Sequence, residues 1–320
     1  MRQALSLADL ADRYALSLGL EVVHMDRGQA PRLEMQPAMA GRTGPAPLIG
    51  HLNVVQPNRI QVFGPTELGW WANRDRTGRK GLLRQLFVDD LAGIIVTDNQ
   101  AIPEDIVRAA RRTGTPLLRS AQACEHVIAT LRHGLTRELA ERITLHGVFL
   151  DVHGSGVLLT GDAAVGKSEL ALELISRGHS LVADDAPEFS RPAPDTIEGE
   201  STPVLQDFLE VRGLGVLNVR SMYGDAAIRH RKRLQLVIHL ELLSSGLREQ
   251  IDRLNGNLGS RDVLGLAIPL MTLPVAPGRN LAVMVEAAVR NFLLLRRGYS
   301  AADDLMARQK AAMQGNSPCA

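Results

Sequence analysis

Aromatic side chains are scarce in this sequence: Phe, Tyr and Trp together make up 3% of 320 residues. That leaves too few rings for a base-stacking platform or an aromatic-lined carbohydrate groove. An excess of charge is also missing. Lys and Arg number 36 against 35 Asp and Glu, a formal net of +1, so the field that would hold nucleic acid or an anionic membrane is absent. Cysteine occurs only at Cys124 and Cys319, with no metal-type spacing. A disulfide framework and a Cys-based zinc site are therefore excluded, and a reducing compartment is expected. No run of about 18 apolar residues is present to span a membrane. Asp9 and Asp12 interrupt the apolar N-terminal stretch, which does not read as a signal peptide. These absences predict a cytoplasmic protein with no nucleic-acid and no membrane partner. Lysine is rare as well: the basic residues include only Lys80, Lys167, Lys232 and Lys310, so a lysine inside a motif carries weight.

What is there is 45% hydrophobic and 22% charged, ordinary for a folded chain. At roughly 100 to 200 residues per domain, the length suggests two. Residues 1–134 read as an α/β domain of unassigned role. A helix is expected over 3–19, strands at Glu21–His24 and Arg59–Phe63, a loop over 38–47 and a helical turn over Glu67–Arg74. Then follow a strand at Ala92–Thr97, a helix at Pro103–Arg112 stopped by Gly114, and a strand at Thr115–Arg119. A helix capped by Ser120 runs to about Leu131. This alternation implies parallel strands. A helical linker, 135–142, opens the second domain, 135–320. Its expected strands are 144–150, 156–160, 180–184, 215–219 and 234–242, with helices at 168–177 and 280–296. A hairpin turns at Pro192–Asp195, and about 15 terminal residues are expected to fray.

The strongest signal is Gly161-Asp162-Ala163-Ala164-Val165-Gly166-Lys167-Ser168, which fits the phosphate-loop pattern G-x-x-x-x-G-K-[ST]. The apolar stretch Val157–Thr160 feeds it, and Ser168 opens an amphipathic helix. The glycines let backbone N–H groups converge on phosphate oxygens, and the helix N-terminus adds its positive dipole end. Lys167 brings a mobile charge to the β and γ phosphates, and the Ser168 hydroxyl suits magnesium. Leu181-Val182-Ala183 then runs into Asp184-Asp185, only 17 and 18 residues after Lys167. One of two adjacent carboxylates leaving a strand can serve metal while the other serves as a base. A guanine-specific Asn-Lys-x-Asp motif is absent. Leu243-Ser244-Ser245-Gly246 faintly resembles a transporter-ATPase signature, but no strand ending in Asp-Glu follows. Arg229-His230-Arg231-Lys232-Arg233 lacks interleaved aromatics and reads as a solvated or subunit-contact loop.

With these motifs the chain resembles the HPr kinase/phosphorylase family of bacterial enzymes. The matching segments are His146-Gly147-Val148, residues 161–169, Ala183-Asp184-Asp185, Leu209–Val216, Asp252-Arg253-Leu254 and Pro274–Asn280. Looser matches are Gly50–Asn53, Pro57–Arg59 and Leu82–Arg84. The resemblance implies an α/β fold whose C-terminal P-loop kinase domain is similar to phosphoenolpyruvate carboxykinase. It implies ATP-dependent phosphorylation of a serine in the phosphocarrier protein HPr, and phosphate-dependent dephosphorylation yielding pyrophosphate. By position, His146, Lys167, Asp185 and Arg253 would be catalytic, residues 161–168 would bind nucleotide, and Ser168 and Glu210 would bind magnesium. Residues 209–218 would serve both directions and 274–279 chiefly dephosphorylation. A homohexamer that binds HPr across neighbouring subunits is also implied. Ala276 stands where the family's loop usually has arginine, yet phosphorolysis is expected to survive with help from Arg279. A P-loop kinase of a small metabolite and a non-catalytic nucleotide-sensing protein are the alternatives.

Overall fold

In the computed structural model, residues 5–26, 32–33, 48–54, 58–87, 91–242, 258–276 and 278–315 are described. They fall into two α/β units, Met1–Ala140 and Glu141–Ala320. The first unit runs β1 (Leu5–Ser6), α1 (Leu7–Leu18), β2 (Leu20–His24), β3 (Arg32–Leu33), β4 (Ile49–His51) and β5 (Ile60–Phe63). It continues with α2 (Pro65–Ala72), α3 (Arg76–Leu86), β6 (Gly93–Val96), α4 (Glu104–Thr113), β7 (Leu117–Ser120) and α5 (Cys124–Glu138).

Helix α1 begins where it does because Ser6 and Asp9 cap each other: the Asp9 N–H donates to Ser6 Oγ at 3.2 Å, and the Ser6 N–H to Asp9 Oδ2 at 2.7 Å. It stops at Gly19, whose φ of 54° is left-handed. Strands β4, β5, β6 and β7 are parallel in the order β2-β7-β6-β5-β4, with β2 antiparallel at the edge. Alternation along the strands feeds two cores. Ile60, Val62 and Ile95 pack under α1 and α5, whereas Phe63, Ile94 and Val96 meet Trp71, Leu86 and Ile106 of α2, α3 and α4. The parallel arrangement expected from the alternation is present.

Several local expectations change. Ser120 does not cap the following helix. Its hydroxyl donates to the Leu18 carbonyl at 2.6 Å and accepts from the Gln122 N–H, and α5 starts at Cys124 behind Ala123. Helix α5 also continues past Leu131 to Glu138, because Val127, Ile128, Leu131 and Leu135 keep one buried stripe. Residues 135–142 are therefore the end of a helix and the start of a strand. Helix α3 was not expected from the sequence; Asp75 caps it by accepting from the Gly78 N–H at 2.9 Å. The loop expected at 38–47 lies outside the described residues.

The second unit runs β8 (Arg142–Thr144), β9 (Val148–Val152), β10 (Ser155–Gly161), α6 (Lys167–Ser176), β11 (Ser180–Ala183), β12 (Glu188–Ala193) and β13 (Thr196–Glu200). Then come β14 (Phe208–Val211), β15 (Gly215–Asn218), α7 (Val219–Tyr223), β16 (Arg231–Leu242), β17 (Leu258–Val263), β18 (Leu266–Val275), α8 (Leu281–Arg296) and α9 (Ala301–Gly315). Its large sheet has the order β11-β9-β10-β16-β13-β12-β8, with β18 joining β16 and β17 pairing β18. Val148, Leu150, Val157 and Leu159 face α6 and α8, while Phe149 and Leu158 face the other way, toward Phe189 and Ile197. The sheet thus curls, and β12 and β13 lie over β9.

Three expectations are corrected here. The strand expected over 144–150 is broken at Gly147, between β8 and β9. The basic run is exposed except at half-buried Lys232, but from Arg231 onward it is strand rather than loop, and Arg231 pairs with Glu200, Lys232 with Asp151 at 2.7 Å and Arg233 with Asp195 at 3.6 Å. Cross-strand carboxylates supply what the sequence could not display. Of the expected C-terminal fray, residues up to Gly315 continue helix α9, with an i,i+4 pair of Arg308 and Asp304 at 2.7 Å, and residues 316–320 lie outside the described residues.

The curl depends on Gly199. A Cβ there would lie 2.5 Å from a Phe189 ring carbon and 2.6 Å from one of Phe149. Those rings form an edge-to-face pair with centroids 5.1 Å apart. Gly199→Ala is expected to destabilise the second unit by about 1–3 kcal/mol, read as a lower urea midpoint by circular dichroism. An unchanged midpoint contradicts this packing.

Candidate active site

Strand β9 is antiparallel to both β10 and β11. Hence β10 and β11 run the same way, and the start of β9 lies at the same sheet edge as their ends. Three segments meet there: the loop after β10, the Asp184-Asp185 pair after β11, and His146-Gly147 before β9. Ligands of α/β sheets gather at such carboxyl ends. Together they line a cleft of about 460 Å³ that includes His146, Ala163, Lys167, Ser168, Glu169, Asp184, Asp185, Glu210 and Arg212.

The loop is shaped for an anion. Ala164 and Gly166 have φ of 64° and 97°, turns that aim successive N–H groups inward as a nest. A Cβ on Gly166 would meet nothing within 4 Å, so the loop leaves open space there for a ligand. Gly161 is required for a different reason: its φ is 146°, and a Cβ would come 2.5 Å from the Leu240 carbonyl. Val165 is buried and anchors the loop. Lys167 begins α6, and its ammonium donates to the Gly161 and Asp162 carbonyls, both at 2.9 Å. Its charge is thereby held over the loop.

The two aspartates have different surroundings. Asp184 is buried and accepts the Glu210 N–H at 2.8 Å. Burial raises its pKa above the ordinary carboxylate range, partly offset by N–H donation from Glu210 and Asp185. Asp185 is exposed and left-handed, with φ of 62°. Its Oδ1 lies 3.1 Å from His146 Nδ1, which is also 3.2 Å from the Asp185 carbonyl. The buried carboxylate thus fixes a hairpin, and the exposed one faces the cleft with an imidazole at its side. That hairpin is β14–β15. Leu209 and Val211 are buried in the core shared with α6, so the alternate residues Glu210 and Arg212 line the cleft.

The donors suit a hard cation: Ser168, Asp185 and Glu210 offer oxygen. Among the described residues no three-ligand cluster of carboxylates forms in this cleft. A magnesium ion there would draw on phosphate oxygens and water, as is usual for it.

Of the residues singled out in the sequence, His146, Lys167, Ser168, Asp185 and Glu210 line one cleft. Arg253 and its neighbours Asp252 and Leu254 lie outside the described residues, as do Leu243–Gly246 and Pro277. Ala276 is half-buried and its carbonyl accepts the Arg279 N–H at 3.3 Å. Sequence reasoning missed two features. The anchoring of Glu210 by Asp184 joins residues 26 apart and has no local signature. Arg212 could have been found from the two-residue period of a strand carrying Glu210.

Comparison with known proteins adds to this geometry. Residues 5–135 match the family model described as HPr Serine kinase N terminus, and residues 137–309 the one described as HPr Serine kinase C-terminal domain. The chain is 42% identical over 319 residues to a protein named HPr kinase/phosphorylase in Xanthomonas axonopodis pv. citri, covering 99% of this chain and 100% of that one. A protein of the same name in Xanthomonas campestris pv. campestris matches equally, at 42% identity over 319 residues. A solved structure, the Hpr(Ser) kinase/phosphatase from Coxiella burnetii, aligns at 30% identity with a TM-score of 0.45, covering 55% of this chain and 99% of that chain.

The burial of Asp184 has a consequence for pH. A carboxyl whose pKa is raised on folding binds protons more tightly when folded than when unfolded. Its ionisation therefore lowers stability as pH rises from the ordinary value of 3.8 through the higher folded value. Asp184→Asn keeps an oxygen for the Glu210 N–H and has no charge to bury. The variant is expected to gain stability relative to the native chain as pH rises through this window, with no further gain above it. Urea midpoints across pH in EDTA check this; a variant that loses stability relative to the native chain as pH rises contradicts it.

Proposed function

This chain belongs to the HPr kinase/phosphorylase family, and from that premise we propose that one cleft carries both phosphorylation and phosphorolysis of a serine of HPr. The protein is an α/β enzyme of the protein serine kinase type, with ATP as phosphoryl donor. The observation that carries the proposal is the convergence of a phosphate-binding loop with the His146–Asp185 pair at one sheet edge. The whole-length relatedness supports the protein substrate over a small metabolite or mere nucleotide sensing.

In the forward direction the backbone of residues 161–168 cradles the ATP phosphates. Lys167 leaves its loop carbonyls to neutralise charge on the transferred group. Asp185 takes the proton of the serine hydroxyl as that oxygen attacks the γ-phosphorus and the bond to ADP breaks. His146 holds Asp185 toward the cleft. In reverse, an oxygen of inorganic phosphate attacks the phosphoserine phosphorus. The P–O bond to serine breaks, pyrophosphate forms, and protonated Asp185 returns its proton to the serine oxygen. Ser168 and Glu210 would hold magnesium, which supplies electrostatic stabilisation of the phosphates. The resemblance assigns Arg253 to the same site.

A cytoplasmic homohexamer fits this reading. Leu214 and Val216 of the β14–β15 hairpin are 65% and 67% exposed. Apolar side chains so placed beside the cleft favour coverage by HPr or an adjoining subunit. No helix among the described residues is long and apolar enough to cross a membrane.

Radiolabel transfer from ATP to purified HPr tests the proposal. Lys167→Ala is expected to slow transfer by roughly 100-fold or more with the fold retained; near-native transfer would remove the assigned role. Ala276 supplies no guanidinium for phosphate, but Asp185 and the loop are independent of it. Phosphoserine-HPr with phosphate and magnesium is expected to yield pyrophosphate, with Arg279→Ala slower. No pyrophosphate from an active kinase contradicts bifunctionality, and rescue by Ala276→Arg would assign the loss to that position.

A further inference from the structure

Helix α6 carries the phosphate loop at its start, and a second cluster of coordinating groups lies just past its end. His179 follows the helix through Gly178 and is 7% exposed. Its Nε2 is 3.0 Å from Glu286 Oε1 on α8. The ring of His153, in the turn between β9 and β10, meets the His179 ring edge-to-face with centroids 4.6 Å apart. One nitrogen of each imidazole and one Glu286 oxygen lie within 4.8 Å of one another.

A packed ion pair alone would account for His179 and Glu286, but not for His153. Its Nε2 is buried without a hydrogen-bond partner, and such atoms are rare because burial removes water without replacement. The His51, Glu67 and Cys124 cluster lacks this feature. Both His51 nitrogens meet carboxylates at 3.0 Å, and burial pushes the Cys124 thiol up to about 11, away from the thiolate a metal needs.

We propose that His153, His179 and Glu286 form a site for a transition-metal dication of the zinc class, separate from the oxygen-lined cleft. Two imidazoles and one carboxylate are a known three-ligand zinc set, with the fourth position left to water. The buried, unpartnered His153 Nε2 is a donor atom that no protein group uses. Arg177 approaches Glu286 Oε2 at 3.5 Å, whereas Oε1 is shared with His179 Nε2, so a cation would replace the proton between those two atoms. Arg290 and Arg177 oppose a dication electrostatically. Coordination by imidazole must hold it, which selects zinc, nickel or copper over magnesium. An occupied site would join the β9–β10 turn, the end of α6 and α8.

The test uses the full chain in saturating magnesium chloride, so that the cleft does not compete for the probe. Zinc is added by equilibrium dialysis and bound metal is measured, with cobalt absorption as a second readout. His153→Asn removes the imidazole but tolerates the left-handed φ of 50° at this position. The expected result is one zinc per chain, with affinity about 10-fold or more weaker in His153→Asn and Glu286→Gln, and unchanged in Asp185→Asn. No zinc retained by the native chain overturns the proposal. So does equal retention by His153→Asn and Glu286→Gln, or loss confined to Asp185→Asn.

Discussion

Strand β9 lies antiparallel between β10 and β11, and the chemistry depends on that pairing. It forces the ends of two strands and the start of a third to one edge, though their residues are up to 39 apart in the chain, as His146 and Asp185 are. The contact between those two side chains is exposed, 66% and 69%, and an exposed pair contributes only about 0–1 kcal/mol. It cannot bring the segments together. The apolar residues on both faces of β9 do so. Val148, Leu150 and Phe149 are at most 1% exposed, and each such side chain contributes about 1.5–3 kcal/mol on burial. The pair is positioned by the scaffold, and is free to change partners when substrate enters.

The second constraint is the burial of Asp184. A carboxylate at 7% exposure is destabilising unless hydrogen-bonded. Its acceptance of the Glu210 N–H fixes the β14–β15 hairpin at the cleft. Stability is given up to place Glu210 and Arg212, a trade common where function sets the geometry.

The phosphate loop was legible because its glycines meet local backbone needs: a positive φ at Gly166 and a close approach to Leu240 at Gly161. Helix α8 runs over Leu281–Arg296, close to the helix expected at 280–296, and Asn280 caps it by accepting from the Val283 N–H. What was not legible was non-local. Ser120 looks like a cap, but the Leu18 carbonyl, 102 residues away, claims its hydroxyl. The basic run looks like a loop, but from Arg231 it is strand, and β13 and β9 bring Glu200 and Asp151 beside it. The β17–β18 hairpin was obscured by Pro269 and Pro274 in β18, and α3 by Gly78 and Gly81. His153 and His179 gave no motif, since turns and helix ends bring them together.

The central claim is that one carboxyl, Asp185, serves as base in one direction and acid in the other. The direct measurement is Asp185→Asn assayed both ways: label transfer from ATP to HPr, and pyrophosphate release from phosphoserine-HPr. Asparagine keeps the size and loses the titrating proton. Both rates are expected to fall together, by roughly 100- to 10,000-fold, with nucleotide binding far less affected. Phosphorolysis that persists while kinase activity vanishes would contradict the shared acid–base account.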